Sequence, residues 1–277
     1  ILFLFWTITA LGRKVYLANT DKSAASSASE WLILAAGAVG ALAYAFTDTF
    51  WFSAVEAEVY AMSSLCTAVV FWAILKWDAH ADEPGADKWL VLIAYVMGLS
   101  IGVHLLNLLV IPAIAVVIYF KRAKTVSSGG AIKALLLGVV VLAFILWGVI
   151  QYTIKLAAYF DLFFVNTLGL GFGTGIAGFG ILLIGGLSYG IFYAIKKAKP
   201  LLNIALVCVA FILFGYSSFA MITIRAKADP TLNNSDPDNV FTFLSYLNRE
   251  QYGDEPLFKG RYFDAKPTDA FDAGNVY

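Results

Sequence analysis

Residues 134–152 read ALLLGVVVLAFILWGVIQY, nineteen positions without a single charge. A stretch of that length and apolarity spans the hydrocarbon core of a bilayer as one helix, and it is too long and too uniform for the half-buried face of a soluble helix. Similar stretches stand on both sides of it. A window of about 19 residues finds them near 1–12, 31–48, 57–76, 89–103, 105–120, 175–195 and 201–222. The reading is therefore an all-α polytopic membrane protein with about eight spans, the first of them cut short. The pair 89–103 and 105–120 falls below the roughly 30 Å needed for a crossing and reads as two short passes surrounded by protein or as a re-entrant hairpin.

Composition supports this. Of 277 residues, 60% are hydrophobic and 14% charged, against roughly a quarter charged in soluble domains, and the mean hydropathy is +0.78. Nineteen basic residues balance nineteen acidic ones, so a nucleic-acid partner has no electrostatic support. Cys66 and Cys208 sit in apolar runs with no CxxC and no neighbouring His, which reads as core packing and not as a disulfide framework or zinc site. The opening ILFLFWTITALGRK lacks an initial Met and places Arg13 and Lys14 after its apolar run, the reverse of a signal peptide. It reads as the second half of a membrane helix, and the chain as a fragment.

The charges divide by side. The connections after spans 1, 3, 5 and 7 carry twelve of the nineteen basic residues, and those after spans 2, 4 and 6 carry only Lys155. The positive-inside bias makes the first set cytoplasmic. Residues 1–222 form the transmembrane unit, and the polar, turn-rich segment 223–277 reads as the start of an extracytoplasmic domain. On this topology the unusual polar residues gather at the outer face: Asp48, Glu56 and Glu58 between spans 2 and 3, His104 and Asn107 between spans 4 and 5, Asp161 and Asn166 after span 6, and Arg225 beyond span 8.

Each of these has a plain reading beside a functional one. Asp48, Glu56 and Glu58 are either loop acids in headgroup water beside an aromatic belt around Trp51, or walls of a cavity. If residues 54–60 open span 3 as a helix, Glu56 and Tyr60 share a face and Glu58 caps the helix start. His104 is either an interfacial hydrogen-bonding residue or a phosphate donor or proton relay, with Asn107 beside it. A His-based metal site is not expected, since His80 lies in the other, acidic loop; a divalent cation held through Asp48 oxygen is left open. The glycines from Gly169 to Gly190 suggest close helix packing, Gly186 and Gly190 at small-xxx-small spacing, in preference to a phosphate loop. Arg249, Glu250 and Tyr252 are surface residues of the tail or a cover for a membrane-level cavity.

The stretches FTDTFWFSAVEAEVYAMSS, GLSIGVHLLNLLVIPA and SYLNREQYGDEPLFKGRYF resemble the bacterial membrane family first catalogued as domain of unknown function 2723. That family is related to the transmembrane protein 260 O-mannosyltransferases and looks like a branch of the type C glycosyltransferases. The resemblance implies a multi-pass protein of the bacterial inner membrane, its tail periplasmic, that moves a sugar from a polyprenyl-phosphate carrier to an extracytoplasmic acceptor, a protein Ser or Thr hydroxyl. Such transfer calls for a carboxylate to take the hydroxyl proton and for donors to the departing lipid phosphate, for which Arg225, Arg249 and His104 are the candidates. The family's acidic motif of the first outer loop, followed by Gly-Glu-Phe, is not found in this sequence. The principal base is thus expected upstream of residue 1, with Glu56, Glu58 and Asp48 as secondary carboxylates and Tyr60, Asn107 and Tyr252 completing the substrate site. Two other classes compete. A transporter or lipid flippase would place polar residues at mid-membrane, and a non-catalytic envelope or secretion scaffold would bind through its tail alone.

Overall fold

In a computed structural model the described residues are 1–19 and 27–253, and among them the secondary structure is helical throughout. Lys22 and the segment 254–277, with Glu255-Pro256 and the end of the SYLNREQYGDEPLFKGRYF stretch, lie outside the described residues. The helices are α1 (Leu2–Asn19), α2 (Ser27–Ala45), α3 (Asp48–Val55), α4 (Tyr60–His80) and α5 (Lys88–Ile101). A 3-10 segment, Leu105–Val110, leads into α6 (Ile111–Arg122). Then α7 (Ser128–Ala143), a π-helical segment (Phe144–Gln151) and α8 (Tyr152–Asn166) follow one another without a break. Next come α9 (Thr174–Lys196), α10 (Pro200–Tyr216), α11 (Met221–Ala226) and α12 (Val240–Asn248).

Six helical stretches are long and apolar enough to cross a membrane, with Lys88–Ile101 a shorter apolar helix beside them. Their outward faces explain why this sequence cannot be a soluble core. In Thr174–Lys196 only 6% of the apolar window is buried inside the protein, and Ile181, Leu182 and Ile184 stand exposed. Apolar surface on that scale requires lipid for solvent. The protein is an all-α polytopic membrane protein.

The core forms where stripes at helical spacing meet. Val70, Ala73, Ile74 and Trp77 of α4 face Ile93, Ala94, Met97 and Ile101 of α5, and Leu108, Ile145, Val149 and Ile212 close around them. A close crossing joins α5 to α10. A Cβ on Gly98 would stand 2.3 Å from the Ile212 carbonyl oxygen, and one on Gly215 would stand 2.6 Å from the Leu99 nitrogen. Only glycine permits that approach. Gly186, expected at such a contact, lies in open space, since a Cβ there would meet nothing within 4 Å, while Gly190 faces Leu206 of α10.

Two expectations about elements are corrected. The sixth span does not end near residue 152. Helix continues to Asn166, giving 39 residues from Ser128, about 58 Å at 1.5 Å per residue. Lys155 is therefore helical, its ammonium 5.5 Å from the Tyr152 ring centre, and Asp161 is not a loop acid. It is 3% exposed and accepts hydrogen bonds from the Gly173 and Gly175 N–H groups at 2.9 and 3.0 Å. This meets the free donors at the start of α9. The apolar run hid the helix because one acid that ties two helices together looks in sequence like the end of a span. The second correction concerns the start of α4. Residues 56–59 are bends, and Tyr60 is the first helical residue. Glu56 and Tyr60 therefore do not share a helical face, and no side chain caps α4.

The basic ends of α1, α4 and α6 meet. Arg13 pairs with Glu30 at 2.8 Å, Lys14 with Asp78, and Lys121 with Asp82 at 2.8 Å. The Lys121 ammonium, hydrogen-bonded to Asp82, holds that carboxyl below the usual range. Arg122 donates to the Ala81 carbonyl at 2.9 Å and lies over the Trp77 ring.

Candidate functional site

At the opposite end of the bundle a cavity of about 610 Å³ opens between the turn after α5, the π segment and the tail. Four pieces of chain build it. The first is His104. α5 stops at Ile101, and His104 takes an extended conformation, φ −164° and ψ 137°, before the 3-10 segment. Its Nδ1 accepts the Leu106 N–H at 3.1 Å, which in the neutral ring leaves the proton on Nε2, free to donate. The Tyr60 ring lies 5.9 Å from the His104 ring, so the start of α4 comes to the same end of the molecule.

The π segment supplies the second wall. One extra residue per turn re-aims side chains within an otherwise α-helical run, a device frequent at functional sites. Here Leu146, Trp147, Ile150 and Gln151 line the cavity. Gln151 and Trp147 were not singled out from the sequence. An isolated amide within an apolar span is costly unless used, and that was the available signal.

Phe219, after α10, is the third, and the tail is the fourth. Asn239 begins α12 with a capping box. Its side chain accepts from the Phe241 and Thr242 N–H groups at 2.9 and 3.1 Å, and Thr242 Oγ1 accepts the Asn239 N–H at 3.2 Å. Phe243 and Tyr246 then pack against Phe219, ring centres 5.4 and 6.4 Å apart. This lays α12 across the mouth of the cavity, which Tyr246, Leu247, Arg249, Gln251, Tyr252 and Asn234 line from above. Arg249 ends α12 in the left-handed region, φ 57° and ψ 33°, where glycine is the residue of low cost. Its guanidinium sits 5.0 Å from the centre of the Tyr252 ring. Glu250 beside it accepts from Ser245 Oγ at 2.6 Å and Asn248 Nδ2 at 3.1 Å. These bonds, Ser245's foremost, hold its carboxyl below the ordinary carboxylate range.

Of the residues singled out from sequence, His104, Arg249 and Tyr252 meet in the cavity, and Tyr60 touches it through His104. Asn107 does not. It is fully buried, donates to Ser100 Oγ at 3.1 Å and leaves its own oxygen without a partner, so it braces the turn that carries His104. Asp48, Glu56 and Glu58 are exposed. Asp48 opens α3, a short helix whose Trp51 stacks on Phe46 at 6.2 Å with Phe52 exposed beside it, in keeping with an interfacial aromatic belt. Arg225 is exposed in the last turn of α11 and does not line the cavity. Among the described residues no group of three or more His, Cys, Asp or Glu side chains is placed to hold a metal, and Asp48 has no acidic companion in such a group.

A second space adjoins the first. A groove of about 540 Å³ runs between α9, α10 and α12, with walls such as Leu183, Leu187, Leu213 and Phe214. Phe219 lines both spaces. The polar cavity and the apolar groove therefore meet at one aromatic ring.

Residues 1–127 match the sequence model of the protein O-mannosyl-transferase TMEM260 N-terminal domain. No curated protein and no solved structure is matched by the chain. The match relates the chain, through α1 to α6, to the TMEM260-like proteins, and it includes His104 and the turn that holds it.

Proposed function

We propose that this protein, related to the TMEM260 O-mannosyltransferases through its first 127 residues, transfers a sugar from a polyprenyl-phosphate carrier to a hydroxyl acceptor on the outer side of a bacterial inner membrane. The observation that carries the reading is the cavity in which His104, Arg249 and Tyr252 converge, joined at Phe219 to an apolar groove. A prenyl-phosphate sugar has that same division. Its chain suits the groove between α9 and α10, and its phosphate and sugar suit the polar end.

In the reaction the acceptor oxygen forms a bond to the anomeric carbon. The bond from that carbon to the phosphate oxygen breaks, its electron pair passing to the lipid phosphate. Arg249 and the His104 Nε2–H stabilise the charge that develops there through hydrogen bonds aimed at the departing phosphate. Gln151, Asn234 and Gln251 are the amides available to sugar hydroxyls. The acceptor proton passes to water, and the departing phosphate carries the balancing negative charge. No carboxylate among the described residues lines the cavity, and Asp48, at the start of α3, and Glu56 and Glu58, in the bends after it, are exposed and outside its lining.

The test is transfer from a panel of polyprenyl-phosphate sugars by the full protein in membranes. His104→Ala and Arg249→Gly are expected to lower the rate by about 100-fold or more, the usual worth of a charge-stabilising donor. Arg225→Ala and Glu58→Gln should transfer at the parent rate. Glycine suits the Arg249 backbone, so its loss of rate reports the missing guanidinium and not a disordered lid. Full activity of both His104→Ala and Arg249→Gly would overturn the assignment.

A further inference from the structure

At the basic end of the bundle, remote from the cavity under α12, a groove of about 430 Å³ lies between α1 and α4. The two helices are parallel, and the groove repeats one pattern along both. Trp6 on α1 and Trp72 on α4 form its apolar floor, their rings 5.8 Å apart. Seven residues beyond Trp6 stands Arg13, and four beyond Trp72 stands Lys76, respectively about 10 Å and about 6 Å further along the helix axes. Lys14 and His80 complete the rim.

The charges at this rim are not all equivalent. Lys14 is engaged by Asp78, and Arg13 gives its Nε and one terminal nitrogen to Glu30 at 3.1 and 2.8 Å. His80 Nδ1 is 2.9 Å from the Lys76 carbonyl oxygen. Lys76 has no carboxylate partner among the described residues, and its ammonium lies 5.8 Å from the Trp72 ring centre. Among the described residues of the rim, three cations against Glu30 and Asp78 leave one net positive charge, and that charge is Lys76. The C-terminal ends of helices disfavour anions, so attraction at this rim must come from side chains alone.

We infer that the α1–α4 groove binds an anionic phospholipid, its headgroup phosphate at Lys76 and the open face of Arg13, its acyl chain along Trp6 and Trp72. Charge complementarity at the rim and the aromatic floor below it identify this occupant. A zwitterionic lipid brings a phosphate already balanced by its own ammonium, which the cations of this rim repel, and a free phosphate leaves the apolar floor open. Basic pockets between membrane helices recognise lipid phosphates in this way. The site is independent of the sugar-transfer reading, because none of its residues lines the outer cavity.

Native mass spectrometry of the full-length protein, released from detergent with added dioleoyl-phosphatidylglycerol or dioleoyl-phosphatidylcholine, tests this. The phosphatidylglycerol adduct should be favoured, and Lys76→Gln should reduce that preference about fivefold, the worth of one basic residue near an anionic lipid surface. Lys76→Arg should keep it. Lys88→Gln, which alters a lysine outside the groove, should leave it unchanged, and excess inorganic phosphate should not displace the lipid. Equal binding of the two lipids, an equal loss in Lys88→Gln, or displacement by inorganic phosphate would each overturn the inference. A melting measurement on Lys76→Gln separates lost binding from lost folding.

Discussion

At the scale of single residues, the molecule uses its few membrane-level polar groups in unlike ways that sequence alone treats as alike. His104 and Asp161 both look like polar residues at the outer ends of spans. His104 turns out to cap a 3-10 turn with one nitrogen and to present the other at a cavity. Asp161 spends its carboxylate on two backbone N–H groups of α9 and has no exposure left for chemistry. Glu250 gives a prediction at this scale. Its carboxyl is held below the ordinary 4.5 by Ser245 and then Asn248. Because the folded-state value is depressed, the bonds that tie the end of α12 persist at neutral pH and are lost as pH falls through that lowered value. Trp147, which lines the cavity beneath α12, reports the change. Its contribution, taken as the difference in emission between the protein and Trp147→Phe and titrated from about pH 7 to about pH 3, should shift with a midpoint below 4.5, and the shift should be absent in Glu250→Gln. An unchanged titration in that variant would remove Glu250 as the cause.

Elements are positioned here by close contacts more than by the general apolarity of the helices. Lipid tails compete on equal terms with Leu and Val, so helices associate where shape allows the backbones to approach. The α5 to α10 crossing rests on Gly98 and Gly215, and it sets the turn of His104 beside Phe219, whose ring a Cβ on Gly102 would meet at 3.3 Å. Gly98→Ala should therefore cost about 1–3 kcal/mol, as overpacking does, and should lower the melting temperature in detergent. Gly186→Ala, with nothing within 4 Å, should be neutral or stabilise by up to about 1 kcal/mol through helix propensity. Equal melting temperatures for the two variants would refute the packing argument. The sequence displays the dense glycines of 169–190 more prominently than Gly98 or Gly215, because clustering is visible along a chain and contact between distant helices is not. For the same reason the π segment was not legible: FILWGVIQ has the hydropathy of any span, and its change of winding follows from packing.

For the whole molecule, the two ends differ in chemistry. One gathers Arg13, Lys14, Lys121 and Arg122 with their acidic partners, and Lys76 at the α1–α4 groove. The other gathers His104, Tyr60, the π segment and α12. The proposed orientation, with the basic end cytoplasmic, is tested by single cysteines in a background of Cys66→Ala and Cys208→Ala. Ser235→Cys should react with a membrane-impermeant maleimide in intact cells stripped of their outer membrane, and Lys196→Cys only after lysis. Labelling in the reverse order would invert the topology and place the cavity in the cytoplasm.

The sequence by itself determined that this is an all-helical membrane protein with twelve of its nineteen basic residues in alternate connections, since hydropathy over nineteen-residue windows and the placement of Lys and Arg are properties of the chain. It also marked His104, Arg249 and Tyr252. Only the tertiary structure decided that these three share a cavity while Asp48, Glu56, Glu58 and Arg225 stand apart from it. A site is a meeting of residues more than a hundred positions apart, and those meetings depend on glycine crossings, on a capped helix folded back over Phe219 and on a change of helical winding. None of these alters the hydropathy from which a membrane sequence is read.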